Sequence, residues 1–411
     1  MIIDKVIYTY QKEGFRTLLK KVAKKITGTP TGDHSEKIDL TNLPLMPSLN
    51  DISGIDYQIP QVKPPKLNKK HLNIVWVIPP VGPGGGGHTT ITRFARYLQK
   101  QGHLVSFSIY NNNTMLQSNK EAEEVLRKSY NIQTKVKDIS ELSEEDVIFA
   151  TSWETAYGVY NIKTKGHKFY FVQDFEPMFF GVGSRYMLAE ATYKFGFYGV
   201  TAGKWLTEKV KKYGMEADYF DFGVDTEIYR SKKQIVQKEK KKKIAFYARA
   251  HTERRGFELG ILALKMFKEK HPEFEIVFFG QDVSNYEIPF EYTNSGILTP
   301  AELSKLYQES IACLVLSLTN VSLLPLELLA AGCVPVMNGG ENNTIVLDGV
   351  EGIAYTEAFP PNLARKLCQI VEANNIEENA QKISENIKNK SWDKSYEKVE
   401  KIILREVTIN E

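Results

Sequence analysis

Five consecutive apolar residues, Ile74-Val75-Trp76-Val77-Ile78, lead toward a turn with five glycines in six positions, 82–87. Ile91, Phe94, Ala95 and Leu98 then mark one face of a helix that ends near Gly102. A strand that is apolar on both sides has to be covered on both sides. A parallel sheet flanked by helices does this; a half-wet antiparallel sheet does not. Further strands are predicted at 104–109, 147–150, 168–172 and 198–201, with helical stretches between them. The pattern restarts after the charge run Lys238–Lys243. A strand at 244–248 is followed by a helix at 256–267 and a strand at 274–279. Thr299-Pro300-Ala301-Glu302 is a capping box with proline at the first helical position. A strand at 311–316, a helix at 322–331 stopped by Gly332, and a strand at 334–337 complete the second series, and 360–407 reads as several helices.

Two such series predict an α/β chain of two Rossmann-like domains facing a central cleft. The expected division is an N-terminal extension at 1–70, a first domain at 71–222, a linker at 223–243 and a second domain at 244–390. The last segment, 391–411, is read as a helix able to cross back to the first domain. In the extension, Phe15, Leu18, Leu19, Val22 and Ile26 oppose Arg16, Lys20, Lys21, Lys24 and Lys25. That basic amphipathic helix can lie on an anionic membrane surface, although packing on its own domain is the plainer expectation.

Composition narrows the function. Lys plus Arg (53) nearly balances Asp plus Glu (50), a net charge of +3, which argues against a dedicated nucleic-acid binder. No apolar run reaches the roughly 18 residues of a membrane-spanning helix, and no signal-peptide pattern opens the chain, so a cytoplasmic location is expected. Cys313, Cys333 and Cys368 have no metal-type spacing and read as free buried thiols, without a structural zinc site.

Four segments carry candidate chemistry. Gly85, Gly86 and Gly87 sit at a strand-to-helix junction, where bare backbone and helix-start amides suit a phosphate. The literal pattern Gly82-x-Gly84-x-x-Gly87 fits dinucleotide sites, but the first acidic residue after it is Glu121, too far on for the ribose of NAD. Arg249, His251, Arg254 and Arg255 crowd the loop after the first strand of the second series, and paired guanidinium groups suit a diphosphate. At 319–327 a strand gives way to a helix whose first amides can also face phosphate. Within it, Glu327 is a lone carboxylate among leucines; sugar hydroxyls or a neighbouring arginine would satisfy it. Asp174 and Glu176 end a strand of the first series, too few acids for a metal site by themselves.

In order and spacing, Val81–Thr89, Tyr170–Pro177, Ala248–Gly256 and Ser317–Val336 resemble the GT-B glycosyltransferases of family 4. The closest resemblance is to rhamnosyltransferases of bacterial S-layer and polysaccharide assembly that use dTDP-L-rhamnose. The resemblance covers about residues 72 to 400. It implies an acceptor domain first and a donor domain second, with Arg249 and Arg255 on the donor diphosphate; Arg255 stands where the family has lysine. It places Glu327 on the nucleotide ribose, Asn320, Val321, Ser322 and Leu323 around the phosphate, and Ile297 and Leu298 beside the base. Asp174, next to Gln173, falls near the position that contacts the donor sugar. The family's paired glutamates lie eight apart, and Thr319 stands where the first should be. The implied reaction retains anomeric configuration and needs no metal or other cofactor. Its partners are a nucleotide-sugar donor and a rhamnan-type, lipid-linked acceptor, with peripheral membrane contact at the inner face of the cell membrane. A UDP- or GDP-dependent hexosyltransferase and an inactive nucleotide-sugar-binding scaffold remain open alternatives.

Overall fold

The computed structural model describes residues 47–59, 61–112, 115–229, 242–321, 323–387 and 389–409. The basic helix expected at 15–26 and most of the charge run lie outside them. Thirteen strands are described: β1 (Asn73–Ile78), β2 (Leu104–Ile109), β3 (Val136–Lys137), β4 (Val147–Ala150), β5 (His167–Val172), β6 (Tyr198–Ala202), β7 (Ala217–Phe220), β8 (Lys243–Tyr247), β9 (Glu275–Phe279), β10 (Thr293–Asn294), β11 (Ala312–Val315), β12 (Val334–Asn338) and β13 (Ala354–Thr356). They form two parallel sheets, ordered β3-β2-β1-β4-β5-β6-β7 and β10-β9-β8-β11-β12-β13. This is the expected doubly wound α/β architecture. Strands β3, β7, β10 and β13 were not expected; each is four residues or fewer.

The chain gathers into two compact units. Of the described residues, one holds those up to Pro64 with His71–Pro83 and Gly102–Lys168; the other holds Pro65–Lys70, Gly84–Gln101 and those from Phe169 on. In the first unit, β1 is buried from Ile74 to Ile78, and Trp76 stacks on Phe149 of β4 at 4.2 Å. In the second, Ile244 and Phe246 of β8 meet Ile276 and Phe278 of β9 and the apolar face of the helix Phe257–Lys270. The other face of the same sheet is filled by Ala245, Val277, Cys313 and Val315. Both faces are therefore dry, as the unbroken apolar runs require.

Strand order reverses between β8 and β11, so their carboxyl ends open at a topological switch point, where ligands of open α/β sheets bind. The loops that begin at Ala248 and Leu316 leave the sheet there. The helix predicted at 322–331 is shorter, Leu324–Ala330, with Pro325 in its first turn. The C-terminal helix Asp393–Val407 lies against the helix Gly86–Lys100 and β7. Tyr97 donates to Glu400 at 3.0 Å and Arg405 reaches Asp218 at 2.6 Å. No helix among the described residues is long and apolar enough to cross a membrane. Cys313, Cys333 and Cys368 are buried and form no disulfide.

Candidate functional site

After β8 the backbone makes two tight turns: Thr252 N–H donates to the Arg249 carbonyl at 2.9 Å and Arg255 N–H to the Thr252 carbonyl at 2.8 Å. Gly256 follows at φ 54, left-handed backbone that favours glycine, and starts the helix Phe257–Lys270. This compression brings the arginines into one short loop. Arg249 Nη1 donates to the Gly280 carbonyl at 3.3 Å, and Gly280 N–H donates to the Gly296 carbonyl at 2.7 Å. Arg249 therefore shares a neighbourhood with the 296–298 loop, where Ile297 is 78% exposed and Leu298 packs into the core. Arg255 Nη1 donates to Ser317 Oγ at 2.6 Å. Arg254 lies with its guanidinium 3.9 Å from the centre of the Phe179 ring and its Nε 3.5 Å from the Asp174 carboxylate. Its carboxylate is thus Asp174, not the adjacent Glu253. His251 is exposed and offers its backbone N–H to Gln281.

The loop after β11 is fastened from two sides. The Ser317 carbonyl accepts from the side-chain amides of Asn338 (2.9 Å), Asn342 (2.9 Å) and Asn343 (3.0 Å), while Ser317 N–H donates to Asn338 Oδ1 at 2.8 Å. Ser317 Oγ donates to the Asn320 carbonyl at 2.5 Å. On the other side, Thr319 Oγ1 donates to Asp174 Oδ2 at 2.9 Å and Asn320 N–H to Asp174 Oδ1 at 2.7 Å. The Asn320 side chain donates to the carbonyls of Gln173 (2.9 Å) and Ala202 (3.1 Å).

This changes the reading of two residues. Asp174 is buried, and its oxygens already accept from Thr319, Asn320 and its own neighbour Phe175 N–H at 2.8 Å. Burial pushes its carboxyl above the usual range, against the pull of Arg254 and Arg255 and those hydrogen bonds. Asp174 anchors the loop here, because a buried carboxylate takes every donor within reach. Asn320 likewise uses its side chain as well as its backbone to hold the loop. Val321 is buried in the core, so only its backbone can face a ligand; Leu323 is half-buried, and Ser322 lies outside the described residues.

Gly85 caps the helix Gly86–Lys100 without any side-chain hydrogen bond, and Gly84 before it has φ 75. No atom lies within 4 Å of where a Cβ would sit on Gly84 or Gly86, while one on Gly87 would stand 3.3 Å from Gln173 Nε2. The turn therefore leaves open space beside Gly84 and Gly86. Glu327 is not alone. It is hydrogen-bonded to Tyr229, and Arg93 stands nearby, itself paired at both nitrogens with Asp225. Burial pushes its carboxyl up to about 7, opposed by Arg93 and the Tyr229 hydroxyl, with Asp225 adding to the rise. Among the described residues no hydrogen bond joins Glu327 to Arg249 or Arg255.

Sequence reasoning missed Arg93, Asp225, Tyr229 and the three asparagines. Arg249, Arg254 and Arg255 together can neutralise a multiply charged anion such as a diphosphate.

Models of the two domains of the WsaF family match this chain, the N-terminal domain at residues 98–201 and the C-terminal domain at 242–368, together more than half of it. The chain is 30% identical over 341 residues to the O-antigen biosynthesis protein RfbC of Myxococcus xanthus. That alignment takes in 80% of this chain but 27% of RfbC, so the chain spans about a quarter of that relative's length. Among solved structures, Anabaena HepE in complex with UDP-glucose aligns with a TM-score of 0.63 at 13% identity, over 82% of this chain and 100% of HepE. Sucrose-phosphate synthase from Thermosynechococcus elongatus aligns at 0.59 and 10% identity, over 81% and 98% of the two chains. A glycosyltransferase from Rickettsia africae aligns at 0.57 and 13%, over 83% and 100%. The fold is GT-B.

Proposed function

We propose that this chain, with GT-B architecture and matches to both WsaF domains, is a glycosyltransferase of surface-glycan assembly that takes L-rhamnose from dTDP-L-rhamnose. The observation that carries the reading is the arginine loop at the carboxyl ends of β8 and β11. Arg249 is held there by Gly280 and Arg255 by Ser317, and the Ser317 loop is itself fixed by three asparagines. Breaking a glycosidic bond to a nucleoside diphosphate builds negative charge on the leaving phosphate. Fixed cations aimed at that charge stabilise the transition state without reorganising. Because guanidinium groups supply this neutralisation, no metal is required in the scheme. The acceptor hydroxyl attacks the anomeric carbon as the bond breaks, its proton passing to the departing phosphate, with retention of configuration. Glu327 holds the ribose, and Ile297 gives the base an apolar surface.

RfbC is named for O-antigen biosynthesis, which supports a surface-glycan product, and HepE was solved with UDP-glucose, which supports a nucleotide-sugar donor. The acceptor we propose is a growing, lipid-linked rhamnan, met at the inner face of the cell membrane. The test is calorimetric titration of the full chain with dTDP, UDP, GDP and NAD in metal-free buffer. Selective micromolar binding of dTDP is expected. Preference for UDP or GDP would overturn the rhamnose assignment while keeping the transferase, and no nucleotide binding would overturn the donor site itself.

A further inference from the structure

The helix Phe257–Lys270 ends on His271, and the helix Pro360–Val371 carries Cys368 one turn before Glu372. The Cys368 thiol, a His271 ring nitrogen and a Glu372 carboxylate oxygen all lie within 4.8 Å of one another. His271 Nε2 is 3.1 Å from Glu372 Oε1, and its other nitrogen, Nδ1, is 3.5 Å from the Glu273 carboxylate. The ring does not swing freely. Phe267 stacks on it at 5.1 Å, and Phe274 meets it edge-on at 5.8 Å. The turn below is stapled by Lys268 Nζ, which donates to the carbonyls of Pro272 (2.7 Å) and Phe274 (2.8 Å).

We infer that His271, Cys368 and Glu372 form a zinc site that clips the ends of these two helices together. The donor set suits zinc among the divalent ions: a thiolate, an imidazole nitrogen and a carboxylate. Thiolate and carboxylate together balance the charge of the ion. Bonds of about 2.0–2.3 Å put tetrahedral ligands roughly 3.3–3.8 Å apart, so binding the ion draws the thiol in from a present spread of at most 4.8 Å. Glu273 takes the outer position usual for a zinc histidine. A carboxylate on Nδ1–H favours the tautomer that leaves the Nε2 lone pair for the ion. Solvent fills the fourth position on the Glu372 side. The sequence expectation of no zinc site rested on cysteine spacing. Here the single cysteine is joined by a histidine about a hundred residues away, beyond the reach of any spacing rule.

The test uses the full-length, untagged chain, reduced and stripped with a chelator, then titrated with Co²⁺ followed by Zn²⁺. A thiolate-to-cobalt charge-transfer band should grow to one equivalent and bleach on adding Zn²⁺. It should be absent in both Cys368→Ser and His271→Gln, two independent variants checked for native circular dichroism. Glu273→Gln should keep the band and weaken Zn²⁺ binding about 10- to 100-fold. Cys313 and Cys333 are fully buried in a different cluster and cannot supply the band. No band in the native chain, or one that survives Cys368→Ser, overturns the site and leaves an ordinary His271–Glu372 ion pair.

Discussion

Replacing Glu327 with glutamine separates what its charge costs from what it does. The carboxyl is carried from an ordinary 4.5 to about 7, chiefly by burial. A folded-state value above the unfolded one means that the folded chain holds the proton more tightly. The contribution to stability is then full below about pH 4.5 and is lost as the pH rises through 7. At pH 8 the ionised group costs the folded state about 3 kcal/mol, against a little under 1 kcal/mol at pH 5. Glutamine keeps the size of the side chain and a hydrogen bond to Tyr229 but has no proton to lose. Measured by urea unfolding beside the native chain, Glu327→Gln should gain about 2.5 kcal/mol relative to it between pH 5 and pH 8. Titrations shared by both proteins cancel in that difference. Nucleotide binding should move the opposite way. Ribose hydroxyls donate to the ionised carboxylate, so native affinity should strengthen as the pH rises through 7, while the variant's stays flat. A stability difference independent of pH would refute the burial argument; equal pH profiles of binding would remove Glu327 from the ribose.

Arg249→Ala should lower turnover about 100-fold or more, the scale for losing one fixed donor to transition-state charge, in a steady-state assay with dTDP-rhamnose; native-like turnover would remove the phosphate assignment. Thr319→Val leaves the buried Asp174 carboxylate short of one donor, an expected loss of about 1–3 kcal/mol in unfolding free energy, while Thr319→Ser should restore it. If valine is tolerated without loss, the anchor reading of Asp174 fails.

The sequence made the fold legible wherever a strand was dry on both faces and long enough to leave an apolar run, as in β1, β4, β5 and β8. It failed at β7, where Asp218 breaks the run to meet Arg405, and at β10 and β13, which add two or three residues at sheet edges. The site divides along a similar line. Motif residues close in sequence, such as Arg249 to Arg255, could be read together because one loop holds them. Their partners could not: Asp174 meets Asn320 across 146 positions, and Arg93 meets Asp225 across 132. Thr319 shows most clearly why a linear pattern is insufficient. In sequence it is a gap in a pair of glutamates. In the structure its hydroxyl donates to a buried carboxylate that arrives from the end of β5. A glutamate at 319 would set two carboxylates against each other in a dry pocket, where like charges cannot both ionise. Thr319 and Asp174 are therefore a matched pair, a hydroxyl donor facing a buried carboxylate, and neither residue can be interpreted without the other.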